Sequence, residues 1–206
     1  MNELRRSIIA DLPEIDLISH AELREQTIDA WVLALEKSSF KRVSDIPGDA
    51  NPGLLVLKHG RQNVHLSGVT RLAIDLADHF EKTHSVRIDK DIVIAGGICH
   101  DVGKAWECDP KNQSRWSADG SAVGFPSLRH PVYGAYICLQ VGLPESVAHI
   151  AACHSSEGDQ VKRSLECLIV HEADYTWWKI SAASGLVVPD TIPNGYSRQF
   201  CPRETR

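Results

Sequence analysis

The stretch Ile92-Val93-Ile94-Ala95-Gly96-Gly97-Ile98-Cys99-His100-Asp101-Val102-Gly103-Lys104 decides how this chain is read. From Ile92 to Cys99 it is continuously apolar, which suits a buried strand or a buried helix by pattern alone, and Gly96 and Gly97 weaken both. The neighbours favour helix. Upstream, Val69, Leu72, Ala73, Leu76, Ala77 and Phe80 recur at helical steps across residues 63–84, and His65 lies four residues before Val69 on the inward face. Downstream, Pro131 suits a first helical turn in which His130, Gly134, Ile137 and Val141 share a face. Pro144 opens a further helix with Val147, Ile150, Ala151 and His154 on one side and Gly158 at its end, and a last helix is predicted over residues 162–180. The fold class expected is all-α, and no internal repeat interrupts it.

Further out, Ser19 with Glu22 three residues later reads as a capping box. Leu23, Thr27, Ala30, Trp31, Ala34 and Leu35 then predict a helix over residues 20–38. The turn-rich run Asp45-Ile46-Pro47-Gly48-Asp49-Ala50-Asn51-Pro52-Gly53 reads as a linker. The expected organisation is therefore an N-terminal helical extension over 1–57, a main domain over 58–188 and a loosely ordered tail over 189–206. A chain of 206 residues, 43% hydrophobic and 24% charged, has ordinary globular composition, which excludes disorder or low complexity as the whole answer. Its net charge of −5 argues against nucleic acid or anionic lipid as the main partner. No apolar run approaches the ~18 residues of a membrane span, and the start lacks a signal-peptide core, so the expected location is the cytoplasm. The six cysteines, without a C-x-x-C spacing, read as reduced thiols.

Ten histidines are about twice the expected share, and their spacing gives the excess a meaning. His65, the pair His100-Asp101, His130, His154 and Asp174 fall at inward positions of separate helices. Imidazoles and carboxylates converging inside a helical bundle suit a divalent metal. Adjacent helical side chains point about 100° apart, so His100 and Asp101 can serve one site only if their segment ends there, and Gly103-Lys104 fits such an ending. His20, His59, His79, His84 and His149 read as ordinary histidines, while His171, three residues before Asp174, is a candidate supporting partner.

The set His65, His100-Asp101-Val102-Gly103-Lys104, His130-Pro131-Val132-Tyr133-Gly134-Ala135, His154 and Glu172-Ala173-Asp174-Tyr175 resembles the HD superfamily of metal-dependent phosphohydrolases over about residues 58–178. The resemblance implies an HD-domain-like helical bundle. It implies that His65, His100, Asp101 and Asp174 hold one metal, that His130 and His154 add a second, and that Asp101 bridges them. Asp174 is preferred to Glu172 because the family places alanine-aspartate there. Two divalent ions are expected, iron or manganese first, with zinc, cobalt or nickel also suited to such ligands. The implied reaction is hydrolysis of a small phosphoester or nucleotide by a hydroxide on the dinuclear metal, with Asp101 and Lys104 as the catalytic pair. The same ligand set also resembles that of HD-type mixed-valent di-iron oxygenases, which cleave a C–C or C–P bond. A non-catalytic ligand-binding domain is the third reading. Arg61, Lys104, Arg115 and Arg129 are the candidate substrate-binding cations. The segment between Lys104 and His130, with Trp106, Trp116 and Phe125, is a candidate lid. The expected partner is a small, phosphorylated molecule, and a homodimer is compatible with the sequence.

Overall fold

The computed structural model describes residues 3–196. Within them every regular element is helical, and extended pairing is limited to isolated bridges between Asn51 and Leu54 and between Leu57 and Val187. The first half holds α1 (Glu3–Asp11), α2 (Ala21–Glu36), α3 (Gln62–His84) and α4 (Lys90–Cys99). The second half holds the short α5 (Lys104–Glu107), α6 (Pro110–Ala118) and α7 (Gly120–Val123), then α8 (His130–Gln140), α9 (Glu145–Cys153) and α10 (Leu165–Ala183).

The decisive apolar run is α4, the central rod of the bundle. Asp89 starts it by accepting a hydrogen bond from the Ile92 N–H at 3.2 Å. Every residue from Val93 to Cys99 is buried, with α2, α3, α9 and α10 packed around the rod. A helix surrounded on all sides has no need of a polar face, which is why the run shows no period. Its glycines permit close approach: a Cβ on Gly96 would stand 2.3 Å from Ile150 Cδ1, and one on Gly97 2.9 Å from Thr70 Oγ1.

Residues 3–46 share this core. Ile8, Leu12, Trp31 and Leu35 belong to the same buried cluster as Leu66, Ile98 and Ile137, and the Trp31 indole donates to the Ile98 carbonyl at 3.1 Å. Buried Glu14 accepts from Ser67 Oγ and Arg71 Nε, each at 2.7 Å, and fastens a 3-10 turn, Pro13–Leu17, to α3. The cap of α2 differs from the capping box expected at Ser19. His20 Nδ1 accepts from the Leu23 N–H, while the Ser19 backbone N–H and hydroxyl both go to Asp91 at 2.9 and 2.7 Å. A long-range carboxylate at the start of α4 thus takes the serine that local pattern assigns to capping.

The last helix begins at Leu165 rather than near residue 162, because Ser164 Oγ accepts from the Cys167 N–H at 3.1 Å and caps it. Of the expected loose tail, Pro189–Thr191 forms a 3-10 turn, and Ile192 and Tyr196 pack on Leu55, Leu57, Trp178, Ala182 and Val187. Residues 197–206, with Cys201, lie outside the described residues. The other five cysteines are free and buried. Among the described residues no helix is long and apolar enough to cross a membrane.

Candidate metal centre

Helix ends aim most of the site. His100 and His154 are the residues that end α4 and α9, His130 is the first residue of α8, and His65 sits in the first turn of α3. Asp174 comes from the middle of α10. All five side chains, with Asp101, are buried.

In His100, His130 and His154 the outer nitrogen fixes what the inner nitrogen offers, while the buried His65 Nδ1 makes no hydrogen bond. His100 Nδ1 lies 2.7 Å from the Gly97 carbonyl, and His154 Nδ1 lies 3.0 Å from the Ala151 carbonyl. A carbonyl oxygen only accepts, so Nδ1 carries the proton and Nε2 presents a lone pair. His130 donates its Nδ1–H to Glu107 Oε2 in the same sense.

These nitrogens gather around Asp101. Its Oδ2 stands 3.3 Å from His65 Nε2 and 3.4 Å from His100 Nε2, and its Oδ1 stands 3.2 Å from His130 Nε2 and 3.6 Å from His154 Nε2. Three overlapping groups have ligand atoms all within 4.8 Å of one another: His65-His100-Asp101, His100-His154-Asp174 and Asp101-His130-His154. The donor set fits a divalent metal. Asp174 Oδ1 is buried and makes no hydrogen bond although it lies 3.3 Å from His65 Nε2, and the Nε2 atoms of His65 and His100 face each other at 3.3 Å. Imidazole nitrogens and carboxylate oxygens turned on a common point are what such an ion uses.

Protonation states agree with that use. Burial pushes the Asp101 carboxyl up, but the Lys104 ammonium and the His100 and His130 rings more than offset it and hold it well below the usual range. Burial also opposes ionisation of Asp174, yet His65 and His100 bring it down to about 2. For His130, burial and Lys104 outweigh the two neighbouring carboxylates, and the ring stays below its ordinary value, hence neutral near pH 7. Lys104 is 1% exposed and donates to Asp101 Oδ2 at 3.0 Å and to the Asp49 carbonyl. Burial alone would lower its pKa, but the Asp101 carboxylate raises it.

Two supporting residues are absent from the sequence reading. Gln62 Nε2 donates to Asp101 Oδ2 at 2.7 Å. Glu107, fully buried, joins His130 Nδ1 to Arg129 Nη1, the latter at 2.8 Å. Helical spacing points to both, since Gln62 precedes His65 by one turn and Glu107 follows Lys104 by one turn. His171, expected near Asp174, instead donates from Nδ1 to the His154 carbonyl at 2.5 Å and packs on the Tyr175 ring.

A cavity of about 200 Å³ opens on the cluster, with Asp101, Lys104, His130, His154 and Asp174 in its floor. Asn51, Leu54, Leu55, Ser155, Tyr175, Trp178 and Tyr196 line its sides. Of the candidate substrate-binding cations, only Lys104 reaches it. Arg61 is exposed at the N-terminus of α3. The Arg115 guanidinium lies over the Trp106 and Trp116 rings at 5.9 and 5.8 Å. Arg129 is spent on Glu107, Glu157 and Asn51. The first part of the candidate lid is packed down, with Trp116 fully buried and Trp106 stacked on Tyr133 at a ring-centroid distance of 4.6 Å, whereas Phe125 is 62% exposed.

Residues 64–177 match the HD domain, a little over half of the chain. The dihydroneopterin 2′,3′-cyclic phosphate phosphodiesterase of Methanocaldococcus jannaschii is 30% identical over 120 residues, 57% of this chain and 46% of that protein. The chain thus spans less than half the length of that relative. No solved structure matches the chain. The matched residues run from α3 into α10 and carry all six clustered side chains, and the chain belongs to the HD-domain family.

Proposed function

We propose that this protein is a metal-dependent hydrolase of a small phosphodiester, and that two divalent ions serve it. The observation that carries the reading is the placement of Asp101, with one oxygen turned to His65 and His100 and the other to His130 and His154. On this reading His65, His100, Asp174 and Asp101 Oδ2 would hold one ion, and His130, His154 and Asp101 Oδ1 the other. Iron or manganese suits this nitrogen and oxygen set. Such ions supply a lowered pKa for coordinated water and withdraw charge from a phosphoryl oxygen.

The protein's own groups do the rest. Lys104 spends two of its three ammonium donors on Asp101 and Asp49, which leaves one for a phosphoryl oxygen where negative charge builds. Held protonated by Asp101, it acts as a fixed positive charge rather than as a proton donor. Leu55, Tyr175 and Trp178 line the approach to the cluster. The cavity is smaller than the roughly 300–1,000 Å³ of drug-sized sites, which favours a compact substrate. The name of the archaeal relative supports a phosphodiester, and a cyclic one in particular.

The test is hydrolysis of a nucleoside 2′,3′-cyclic monophosphate and of ethylene phosphate after loading with manganese or iron. Activity should vanish on chelation and return with metal, and Lys104→Ala should lower kcat by about 10²-fold, the scale of one lost electrostatic donor. A mixed-valent di-iron resonance signal with oxygen uptake and no phosphodiester turnover would move the assignment to the oxygenase chemistry.

A further inference from the structure

Asp101 presents its two oxygens unequally. Oδ2 accepts two hydrogen bonds from the protein, from Gln62 Nε2 at 2.7 Å and from Lys104 Nζ at 3.0 Å. A carboxylate oxygen offers about two lone-pair positions, so both positions on Oδ2 are engaged. The atoms facing Oδ1 are instead His130 Nε2 and His154 Nε2 at 3.2 and 3.6 Å, and both rings carry their proton on Nδ1. An ion held by His65, His100, Asp174 and Oδ2 therefore has to take a position that one of two donors already fills.

The two donors differ in how readily they yield. Gln62 is fully buried, neutral and pinned as the first residue of α3, where its backbone N–H donates to the Ile46 carbonyl at 3.1 Å. Lys104 is as deeply buried but carries a positive charge, which an empty centre needs beside Asp101 and a divalent ion repels. It can also let go without leaving the site. Its ammonium donates to the Asp49 carbonyl and lies 6.0 Å from the centre of the Trp178 ring, within reach of a cation–π contact. Both contacts keep it at the cavity floor that Asp101, Lys104 and Trp178 share. Lys104 opens α5 three residues after Asp101, and its backbone N–H donates to the Asp101 carbonyl at 2.9 Å. Lysine and carboxylate thus ride on one turn of backbone, and the ammonium returns to Oδ2 when the ion departs.

We propose that Lys104 is the resident counter-ion of this centre: it occupies Asp101 Oδ2 in the empty protein, competes with the divalent ion for that oxygen and gives it up on loading, while Gln62 stays and keeps Asp101 aimed. This role rests on the metal-centre reading above. Loading then turns the ammonium from Asp101 toward the cavity, so the ion and an anionic ester favour each other's binding.

The experiment uses manganese as the probe on the full chain, in wild type, Lys104→Met and Gln62→Leu. Lys104→Met keeps a long side chain and removes its charge. In chelator it should melt roughly 6–20 °C below wild type, the cost of a buried carboxylate without its partner, and manganese should restore more of its stability than it adds to wild type. Competition with a chromophoric chelator should show one manganese affinity raised about 10- to 100-fold in Lys104→Met, the worth of one hydrogen bond to a charged group. In Gln62→Leu, which loses an orienting partner, it should fall by about 10- to 100-fold. A fall in both variants overturns the competition and makes Lys104 a brace, and a Lys104→Met protein as stable as wild type in chelator overturns the counter-ion role. Wild type gives a reading that needs no variant. With isotope-labelled lysine, the resonance of the buried ammonium should shift on titration with zinc, a diamagnetic ion, and a resonance unmoved at full zinc occupancy overturns the proposal even where Lys104→Met does not fold. Ion binding with these shifts but without phosphodiester turnover ends the hydrolase reading alone, and a wild type that binds neither manganese nor zinc overturns both.

Discussion

Glutamine at position 107 would test how the second half of the metal centre is held. Glu107 is fully buried and ionised: burial pushes its carboxyl up, but the His130 hydrogen bond and the charges of Arg129 and Lys104 bring it below its usual value. His100 and His154 orient themselves on backbone carbonyls, so among these three rings His130 alone depends on a side chain. In Glu107→Gln the amide oxygen can still accept from Nδ1, but the negative charge that strengthens His130 as a donor is gone. Its NH₂ then faces the Arg129 guanidinium, donor against donor. Partners of this kind are worth about 10–100-fold in metal affinity, or about 1.4–2.7 kcal/mol at 1.36 kcal/mol per decade. On the two-ion reading, the loss should fall on the ion that His130 and His154 would hold, because the Glu107 hydrogen bond goes to His130. Competition with a chromophoric chelator, followed by elemental analysis, reads both affinities. Two metals bound with wild-type affinity by a Glu107→Gln protein whose melting temperature has dropped would refute the argument and leave Glu107 as a packing residue only.

Other positions give sharper structural tests. A Cβ on Gly103 would meet the His130 carbonyl oxygen at 2.1 Å and the Gly134 nitrogen at 2.7 Å, both backbone atoms that cannot swing away. Gly103→Ala should therefore cost about 3 kcal/mol, at the upper end for overpacking. That lowers the melting temperature by roughly 6–12 °C at this chain length, and a shift under about 2 °C would contradict the packing. Ser85 ends α3 at φ 53° and is exposed, so Ser85→Gly should stabilise by about 0.5–1 kcal/mol, measured as a higher urea midpoint. Glu157 is partly buried, which pushes its carboxyl up, but backbone and Ser155 hydrogen bonds and Arg129 hold it at about 2. With the folded value below the unfolded one of about 4.3, its contribution is complete above that value and drains away as the pH falls toward 2. Urea midpoints from pH 6 to 2.5 should decline more gently in Glu157→Gln than in wild type, and equal slopes would remove the role given to the Arg129 contact.

The helices and the six clustered side chains were legible because both follow short-range rules. Apolar period places α3, α8 and α9, proline marks the starts of α8 and α9, and the clustered histidines and aspartates lie at inward positions within or just past the ends of their helices. What escaped depends on partners far away in sequence. Ser19 looks like a cap until Asp91, on another helix, takes its hydroxyl. Arg129 looks like a free cation in a polar loop until two carboxylates, Glu107 and Glu157, are folded against it. The cavity wall is the same kind of omission. A turn-rich run around Asn51 and a proline-rich tail carry no periodic signal, and only their mutual hydrogen bonds make a wall of them.

Charge explains why that wall can be apolar. Asp101, Asp174, Glu107 and Glu157 carry one negative charge each, and Lys104 and Arg129 one positive charge each, so these groups sum to −2. Leaving such groups buried costs several kcal/mol per ion unless each is paired; Lys104 pairs Asp101 and Arg129 pairs Glu107, which leaves Asp174 as the uncompensated one. Two divalent ions would turn −2 into +2 at the floor. Attraction for an anionic ester then comes from the floor alone, and a further arginine in the wall would add little that the ions do not already supply. The buried Asp174 Oδ1, which makes no hydrogen bond, is then the point where metal loading should be felt most strongly as stability.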